Sequence, residues 1–491
     1  MTGTTGMTGT AGMAGGKRHL LIGGEDIPAR RYVPLYAPYS GERLADVAWA
    51  DEAETDLAIR SATRAAAVMR RLPAHQRADI LGRLVAALAE RREEAARLIA
   101  LEAAKPIAAA RAEVERTIQT YRFAAEEARR ICGETVPMDA APGGEGRIGY
   151  TVREPLGVIG AITPFNFPMN LVAHKVGPAL AAGNAVVLKP AEQTPLSAYF
   201  IGELLREAGL PPGALNIVSG DGRVVGERLV QDARVKMLTF TGSPAVGIGI
   251  RSRAGLKRVT LELGSNAALI VDGGVDADAV AARCAVGAFS YQGQVCISLQ
   301  RIYAVEAVYD ALVNGLVREA AAIKTGDPLD PEVGVSALIS RSATERALAW
   351  IAEAVGEGAV VAAGGIVSAD GVLLPTVLLN VPESASICRK EAFAPVVVVC
   401  QVRSVDEAIG RVNDSEYGLQ AGIYTRDIGT ALRAVEELQV GGVIVNDIPT
   451  YRVDHMPYGG VKNSGLGREG VKYATEDMTE QKLVVFNRGT L

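Results

Sequence analysis

Apolar side chains recur at helical spacing through the first third of the chain. The stretch 51–132 is rich in alanine, with arginine and glutamate between the apolar positions. One apolar face is formed by Ile80, Leu81, Leu84 and Leu88. This spacing predicts amphipathic helices that bury one side. Pro106 lacks a backbone N–H and clashes inside a helix, so we expect the helical run to break there.

From Val158 onward the pattern changes to short apolar runs separated by helical stretches. We predict strands at 158–163, 185–189, 215–219, 237–240 and 259–263, and a further set at 267–271, 302–305, 359–362 and 396–402. A helix is predicted at 168–182. Runs that are apolar throughout and joined by helices are typical of parallel sheets covered on both faces. The pattern therefore predicts an α/β chain with two such sheets.

The composition narrows the classes of protein to which the chain can belong. Its 491 residues are too many for one ordinary core, and two or three domains are expected. A hydrophobic fraction of 48% and a charged fraction of 22% are ordinary for a soluble globular protein. The net charge of −5 gives no basic footprint for nucleic acid, although a local basic pocket is compatible with it.

Cysteine and histidine usage and the start of the chain indicate a protein without disulfides, metal or membrane. The five cysteines are odd in number and form no CxxC pair, which argues against a disulfide framework and favours a reducing cytoplasm. The four histidines are too scattered for a zinc site. Residues 1–16 lack the features of a signal peptide, and we interpret them as a disordered tail. No apolar run approaches the ~20 residues that span a membrane.

A candidate nucleophile, Cys296, stands in the segment GQVCIS. A cysteine in apolar surroundings is commonly inert, because burial raises the pKa of its thiol. A catalytic role requires an oxyanion site and usually a base. Asn166 follows a predicted strand end, where sites concentrate in α/β sheets, and its amide can donate to an oxyanion. Glu262 places a carboxylate in an apolar strand, which is costly unless the carboxylate is paired or used.

Seven short motifs follow one another along nearly the whole chain. They are Phe165-Asn166-Phe167-Pro168, Lys189-Pro190-Ala191-Glu192, Phe240-Thr241-Gly242-Ser243, Leu261-Glu262-Leu263-Gly264, Gly293-Gln294-Val295-Cys296, Glu391-Ala392-Phe393 and Pro457-Tyr458-Gly459-Gly460. One tetrapeptide is weak support, but in this order the seven resemble the aldehyde dehydrogenase superfamily. The resemblance is to its hydrolytic, NAD(P)-dependent members, in the branch of the lactaldehyde and phosphonoacetaldehyde dehydrogenases.

The resemblance implies a fold and a division of the chain. It implies two Rossmann-like parallel-sheet domains plus a small β arm for oligomerisation. The cofactor-binding domain would take 17–142 and 154–266, and the catalytic domain would take 267–473. The oligomerisation strands would lie in 143–153 and 474–491. The last strand, 481–487, would add to the edge of a partner subunit's sheet and give a homodimer or homotetramer.

The resemblance also implies how an aldehyde is oxidised to a carboxylic acid. Cys296 attacks the aldehyde, while the Asn166 amide and the Cys296 backbone N–H hold the oxyanion. The thiohemiacetal gives a hydride to a nicotinamide, and Glu262 then activates water to hydrolyse the thioester. Relatives that pass the acyl group to coenzyme A usually lack this glutamate, so the free acid is the expected product.

The implied cofactor is NAD, with NADP as the alternative. Its site would be formed by Lys189, Glu192, Gly222, Gly226, Phe240, Gly242, Ser243, Thr163, Pro164, Phe165, Glu391 and Phe393. Lys189 and Glu192 would hold the adenine ribose, and the two glycines after them would line the adenosine. Gly242 with Ser243 would approach the pyrophosphate at a helix N-terminus. The last two residues named would position the nicotinamide ribose and ring.

Three further positions favour a small aldehyde with an anionic or strongly polar group. We expect Asn166 to begin a helix on which His174 lies about two turns further along the same face. By the resemblance, Arg452 lies in a loop at the substrate mouth, and Arg116 lies on a helix that walls the entrance. Arginine binds phosphate or carboxylate oxygens bidentately. The alternatives are a satisfied core histidine and, for Arg116, a solvated helix face.

Two departures from common family patterns are visible, and other functions stay open. Where many members have EEIFGP this chain has KEAFAP at 390–395, and where many have LGGK it has LGSN at 263–266. These differences indicate a subgroup and leave Glu391 in place.

The alternatives are oxidation of neutral aliphatic or aromatic aldehydes, a cysteine-dependent esterase or thioesterase, and a silent structural protein. The cofactor motifs argue against the esterase, and the joint presence of Cys296, Glu262 and Asn166 argues against the structural protein.

The carboxylate of Glu192 makes NAD the preferred cofactor. A 2′-phosphate on the ribose would meet like-charge repulsion there, which Lys189 offsets only in part. We expect kcat/KM to be higher with NAD than with NADP, and Glu192→Ser to shift the ratio towards NADP. Steady-state kinetics with both cofactors measure this ratio, and a wild-type ratio in favour of NADP would contradict the prediction.

Overall fold

The computed structural model describes residues 16–490, so the predicted tail lies outside the described residues except for Gly16. The strands are β1 (Lys17–Arg18), β2 (Leu20–Ile22), β3 (Glu25–Ile27), β4 (Arg31–Tyr36), β5 (Arg43–Trp49), β6 (Thr135–Val136), β7 (Arg147–Pro155), β8 (Val158–Ile162), β9 (Ala185–Lys189), β10 (Leu215–Ile217), β11 (Val235–Thr241), β12 (Arg258–Glu262), β13 (Ala268–Val271), β14 (Arg301–Val305), β15 (Val360–Ala363), β16 (Thr376–Leu379), β17 (Val396–Val402), β18 (Tyr417–Gly418), β19 (Gln420–Tyr424), β20 (Gly442–Val445), β21 (Val461–Lys462), β22 (Gly465–Leu466) and β23 (Thr479–Asn487).

The helices of the same part of the chain are α1 (Glu52–Arg71), α2 (Ala74–Glu90), α3 (Arg92–Ala103), α4 (Ile107–Glu127), α5 (Asn170–Ala182), α6 (Leu196–Glu207), α7 (Glu227–Gln231), α8 (Pro244–Arg253), α9 (Ala277–Phe289), α10 (Glu306–Ala322), α11 (Arg341–Gly356), α12 (Ser386–Arg389), α13 (Val405–Asn413), α14 (Ile428–Glu437) and α15 (Val471–Asp477). Among these described helices, none is long and apolar enough to cross a membrane.

The first helices confirm the amphipathic pattern of the sequence. The Asp51 side chain caps α1 by accepting the backbone N–H groups of Ala53 and Glu54. In return, the Glu54 carboxylate accepts the backbone N–H of Asp51. This reciprocal cap fixes where the helix begins. The predicted apolar face is buried in α2 at Ile80, Leu81, Leu84 and Leu88. The predicted break is confirmed, because α3 ends at Ala103 and α4 begins after Pro106.

An eight-stranded sheet forms the first core, in the order β22-β12-β11-β8-β9-β10-β2-β3. The five strands from β12 to β10 run parallel, and the edge strands β2, β3 and β22 are antiparallel to their neighbours. Strand β9 matches its predicted bounds, and β8, β10, β11 and β12 differ from theirs by at most two residues at either end. The apolar runs therefore predicted a parallel sheet correctly.

A seven-stranded sheet, in the order β15-β16-β17-β14-β13-β19-β20, forms the second core. Its strands are parallel except for β15. In β17, Val396 and Val398 pack into the core on one face, while Val397 and Val399 pack into the core on the other. Both faces are covered, as a continuous apolar strand requires. The predicted fold of two parallel-sheet units with a small β arm is confirmed, and the residue bounds of the domains stay a prediction.

The site lies between the carboxyl ends of strands in the first sheet and the amino ends of strands in the second. Strands β8 and β12 end, at their carboxyl ends, next to Asn166 and at Glu262. Cys296 and Glu391 come from the segments that precede the amino ends of β14 and β17. Residues from both edges line one cavity. The carboxyl edge of the first sheet thus faces the amino edge of the second.

The prediction that Asn166 begins a helix is wrong, and the helix predicted at 168–182 starts two residues later than expected. Helix α5 begins at Asn170, and Asn166 lies in the loop before it. No side chain of the loop itself caps the helix. Instead, Glu113 of α4 accepts the backbone N–H groups of Met169 and Asn170 at 3.0 and 3.1 Å. The helix starts where this carboxylate satisfies its first free donors.

The last strand pairs within the chain along one of its edges. Strand β23 runs antiparallel to β7 of the same chain, from Thr479 opposite Pro155 to Asn487 opposite Arg147. Strand β6 occupies the other side of β7. Pairing with β7 uses one edge of β23, so the predicted addition of 481–487 to a partner's sheet would use the other edge and stays a prediction. In the described residues the outer edge of β23 is unpaired.

Candidate functional site

A cavity of about 550 Å³ lies between the facing sheet edges. Its lining residues are Pro164, Phe165, Asn166, Leu171, Thr241, Gly242, Ser243, Glu262, Leu263, Gly264, Gln294, Cys296, Ile339, Ser340, Ser342, Ala343, Arg346, Glu391 and Phe393. The three residues predicted to be catalytic are all among them. The structure therefore brings together side chains that are widely separated in the sequence.

Strained backbone leads into the candidate nucleophile. Tyr291 and Gln292 adopt φ of 49° and 54°, in the left-handed region that side chains with a Cβ disfavour. Gly293 continues at φ 67°, and a Cβ there would come within 2.1 Å of the carbonyl oxygen of Ala394. The side-chain amide of Gln292 donates to two backbone carbonyls at 2.8 and 2.9 Å, which holds the turn in place. The turn directs Cys296 to the cavity.

The Cys296 thiol contacts a phenol. Its Sγ lies 2.8 Å from the hydroxyl oxygen of Tyr458, and the guanidinium carbon of Arg452 lies 3.7 Å above the Tyr458 ring. Burial raises the pKa of Cys296 to about 11, and the hydrogen bond from Tyr458 and the charge of Arg452 oppose this rise. Burial also raises the pKa of Tyr458, so the phenol keeps its proton and can donate to a thiolate.

The Asn166 side chain joins the two loops of the site. Its Nδ2 donates to the backbone carbonyl of Gln294 at 2.9 Å, which leaves the second N–H of the same amide free for a ligand. Its Oδ1 is buried and has no hydrogen-bond partner among the described residues. An amide anchored by one N–H and open at the other is suited to an oxyanion.

Glu262 ends β12 with a buried carboxyl group. Neither of its oxygens has a hydrogen-bond partner within residues 16–490. Burial, and next the charge of Glu469, raise the pKa of Glu262 well above its ordinary value. Close approach is possible because residue 459 is glycine: a Cβ there would lie 2.9 Å from Glu262 Oε1. The raised pKa of Glu262 lies closer to neutral pH, and a general base works best when its pKa is near the pH at which the enzyme operates.

A cluster of charged side chains, which we call the cation cluster, lies behind Tyr458. Its members are Arg116, His174, Lys175, Arg452, Asp454 and Glu469. Arg116 donates two hydrogen bonds to Asp454, at 2.7 and 3.1 Å. Glu469 accepts from Lys175 and Arg452, each at 3.0 Å. The three predicted substrate residues are thus brought together, but they turn to these carboxylates, and none of the three is among the residues that line the cavity.

The cation cluster fixes the charge of its members. Burial, and then the charge of Arg452, lower the pKa of His174, whose Nε2 lies 2.9 Å from Asp454 Oδ1. Burial opposes ionisation of Asp454, but the hydrogen bond from His174 and the charge of Arg116 outweigh it and hold the pKa below its usual range. Lys175 likewise outweighs burial at Glu469 and lowers its pKa. A neutral imidazole and two ionised carboxylates result.

A second cavity of about 690 Å³ adjoins the first along the carboxyl edge of the first sheet. It is lined by the predicted cofactor residues Thr163, Pro164, Lys189, Glu192, Gly222, Gly226, Phe240, Gly242 and Ser243. The Lys189 ammonium lies 3.7 Å from Glu192, whose carboxylate accepts the Gly222 N–H at 3.2 Å. Phe165 lines the cavity of Cys296, together with the predicted nicotinamide residues Glu391 and Phe393, and its contact with the cofactor stays a prediction.

Two features of this second cavity fit a dinucleotide. Ser243 caps α8 without a side-chain hydrogen bond, which leaves first-turn N–H groups for phosphate oxygens. The hydroxyl of Thr241, beside it, is buried and has no hydrogen-bond partner among the described residues. The residues present therefore fit NAD or NADP. In the same part of the chain, no group of three or more His, Cys, Asp or Glu could hold a metal ion.

Glu391 and Phe393 connect the two cavities to the second sheet. Glu391 accepts the Ser265 N–H at 3.0 Å, and burial raises its pKa to about 7. A Cβ at Gly264 would come within 2.4 Å of the Glu391 carboxylate, so a side chain there would displace this carboxylate. Phe393, at φ 49°, packs edge-on against Phe165 with the ring centroids 5.7 Å apart. The KEAFAP variant thus keeps both side chains at the cavity.

Several residues of the site were missed by sequence reasoning. The first residues of α11 line the cavity, and nothing in their pattern marks them. The hydroxyl of Tyr458 lay within a recognised motif but was given no role. The carboxylates of Asp454 and Glu469 are near Arg452 in sequence, yet only the fold shows that they pair with it. Asn266, where many relatives have lysine, is held by Cys388, Arg301 and Ser415 through hydrogen bonds of 2.8–3.2 Å.

Comparisons with known proteins agree with this geometry. The sequence profile of the Aldehyde dehydrogenase family matches residues 27–484. The chain is 46% identical over 469 residues to the 3-sulfolactaldehyde dehydrogenase of Priestia aryabhattai, covering 95% of this chain and 98% of that protein. It resembles aldehyde dehydrogenase 21 of Physcomitrella patens in complex with the reaction product succinate, with a TM-score of 0.94 and 40% identity over 97% of this chain and 100% of that one.

A second solved structure is similar to nearly the same extent. It is the glyceraldehyde-3-phosphate dehydrogenase of Methanocaldococcus jannaschii complexed with NADP. The TM-score is 0.90 at 38% identity, and the match covers 93% of this chain and 100% of that one.

Replacing Tyr458 by phenylalanine should make the Cys296 thiol harder to ionise. The variant loses a donor to the thiolate, and a hydrogen bond to a charged group contributes ~1.5–3 kcal/mol. We expect the midpoint of iodoacetamide alkylation of Cys296 against pH to rise by about 1–2 pH units. Tyr150→Phe, the same change on the β arm, should leave the midpoint unchanged. An unmoved midpoint in Tyr458→Phe would show that the phenol does not stabilise the thiolate.

Proposed function

The chain belongs to the aldehyde dehydrogenase family, and from this premise we propose that Cys296, Asn166 and Glu262 oxidise a small aldehyde with an anionic or strongly polar group to its carboxylic acid, with NAD or NADP as acceptor. The observation that supports these roles is the convergence of the three side chains on one cavity, from loops at two different sheet edges. A nucleophile, an oxyanion donor and a base in one cavity are the parts that acyl chemistry needs.

The first step is addition of the Cys296 sulfur to the aldehyde carbon. The thiol must first lose its proton, which desolvation opposes. The Tyr458 phenol and the Arg452 charge stabilise the resulting thiolate. As the S–C bond forms, the carbonyl oxygen becomes an oxyanion. The free N–H of the Asn166 amide and the backbone N–H of Cys296 are its donors.

The second step converts the thiohemiacetal to a thioester and then to the acid. Lys189, Glu192 and the start of α8 would hold a nicotinamide dinucleotide in the adjoining cavity, and this cofactor would supply the hydride acceptor. Glu262 then takes a proton from a water molecule that attacks the thioester. Its two oxygens have no competing partner among the described residues, so they are free to hold this water. The thioester C–S bond breaks, and the sulfur takes the proton that Glu262 removed from the water. The products are the free Cys296 thiol and the carboxylate; the first proton of the thiol and the proton of the product acid pass to solvent.

The substrates named for the similar proteins are small and either anionic or polar, since some of these proteins are lactaldehyde dehydrogenases. One relative is a dehydrogenase of 3-sulfolactaldehyde, whose sulfonate is an anion. One similar structure holds succinate, a dicarboxylate, as reaction product, and another is a dehydrogenase of glyceraldehyde-3-phosphate. The three proteins differ in the anionic group and share its negative charge.

The cation cluster gives a physical reason for the same preference. Arg116, Lys175 and Arg452 face two ionised carboxylates, Asp454 and Glu469, so one positive charge of the cluster is left uncompensated. Arg452 packs on the ring of the tyrosine that contacts the nucleophile. The Nε of Arg452 is buried with no hydrogen-bond partner in residues 16–490. We infer that this surplus charge attracts the anionic group of the substrate.

The β arm supports a proposal of self-association. Strand β23 exposes Leu483, Val485 and Phe486, and its outer edge is unpaired among the described residues. An unpaired strand edge with apolar side chains is a surface on which chains associate. We infer a homodimer or homotetramer in which this arm is covered.

Loss of one arginine of the cation cluster should change the substrate preference. In Arg452→Gln, we expect kcat/KM for 3-sulfolactaldehyde relative to propanal to fall about tenfold or more, since the variant loses the surplus charge and the field of a charged cleft changes the capture of an ionic substrate by about 10–10³-fold. Arg116→Gln should lower the ratio in the same direction. The measurement is steady-state kinetics on both aldehydes.

Arg111→Gln is the matched control for this experiment. Arg111 lies on α4 like Arg116, but it pairs with Glu93 on the exposed side. This variant should leave the ratio unchanged. Equal losses on both aldehydes in Arg452→Gln, or a wild type that prefers long-chain neutral aldehydes, would contradict the proposed substrate class.

A further inference from the structure

One ammonium group is buried between the two loops that form the oxyanion site. Lys105 lies in the break between α3 and α4, and its side chain is fully enclosed. Its Nζ pairs with Glu113 and donates to the backbone carbonyl of Asn166 at 2.7 Å. The same nitrogen lies 3.8 Å from the ring centre of Phe167 and 4.1 Å from that of Tyr291.

These contacts reach both loops at once. Phe167 follows Asn166 directly, and Tyr291 belongs to the strained turn before Cys296. Aromatic faces attract a buried cation. The segment that ends in Lys105 contacts the same turn a second time, because the Gln292 amide donates to the carbonyl of Ala104 at 2.8 Å.

Glu113 completes the arrangement from the other side. One carboxylate oxygen pairs with Lys105, and the other accepts the first backbone N–H groups of α5. The loop that contains Asn166 is therefore held at its own carbonyl by the cation and at its far end by the anion. No part of the proposed mechanism uses either charge directly.

We propose that Lys105 and Glu113 are positioning residues that lock the Asn166 loop against the Cys296 loop. They set the spacing between the Asn166 amide and the Cys296 backbone N–H, the two donors to the oxyanion. This inference rests on the proposed function. A buried ion pair is no general source of stability, since apolar residues of similar size often replace one without loss. Its specific contribution here is geometry, and a misplacement of about 1 Å costs on the order of a hundredfold in rate.

The test separates oxyanion stabilisation from the reactivity of the thiol. Lys105→Met removes the cation at similar length, and the double variant Lys105→Met/Glu113→Gln leaves no unpaired buried charge if the single variant folds poorly. We expect kcat/KM for the aldehyde to fall about ten- to a hundredfold. The dissociation constant of NAD and the rate of iodoacetamide alkylation of Cys296 should stay within about twofold, because alkylation forms no oxyanion.

Two reference variants make each outcome decisive. Glu102→Gln alters another fully buried carboxylate, which accepts helix N–H groups at Leu196 and Ser197 of α6 and has no hydrogen bond to either loop among the described residues. It should leave kcat/KM unchanged. Asn166→Ala should lose at least as much activity as the Lys105 variant.

Three results would overturn the inference. They are unchanged kcat/KM in the Lys105 variants, a parallel fall in alkylation, or an equal loss in Glu102→Gln. Full activity in Asn166→Ala would instead overturn the proposed oxyanion role, and the inference with it.

Discussion

The structure depends on two parallel sheets that face each other with opposite polarity. Strands of the first sheet end at the cavity, and strands of the second begin there. The first edge supplies Asn166 and Glu262, and the second supplies Cys296 and Glu391. Neither sheet alone contains a nucleophile with its oxyanion donor and base. The relative placement of the two edges therefore decides whether the site exists, and the contacts that fix the loops between them matter more than any single strand.

Several ionisable side chains are buried near the place where the two sheets face each other. Lys105 with Glu113, and the six members of the cation cluster, place ionisable groups in the interior, where isolated charges are costly. Each of these groups has an ionic or hydrogen-bonding partner. By contrast, the carboxyl oxygens of Glu262, the Oδ1 of Asn166 and the hydroxyl of Thr241 have none among the described residues, and all three side chains line the cavity. These unsatisfied atoms lie where a substrate, a water molecule and a cofactor would meet them.

The sequence predicted the parts of the fold that are governed by local patterns. Continuous apolar runs located β9 and β17 to the residue, and Pro106 located the break between α3 and α4. The order of the seven motifs identified Cys296, Asn166 and Glu262 as residues of one site. What could not be predicted depends on partners from elsewhere in the chain. The start of α5 is set by Glu113, β23 pairs with β7, and Arg452 turns to Glu469. The burial of Lys105 could not be predicted from its neighbours in the sequence, because burial is a property of the fold.

The central claim is that Cys296 forms an acyl-enzyme which Glu262 hydrolyses. It is tested most directly by rapid mixing of Glu262→Gln with aldehyde and NAD, followed by mass spectrometry of the intact chain. The account predicts a burst of NADH of about one equivalent per site, an acyl adduct on Cys296, and steady-state turnover slowed by about 10²–10⁴, the usual contribution of a general base. Unchanged turnover with no adduct on Cys296 would contradict it.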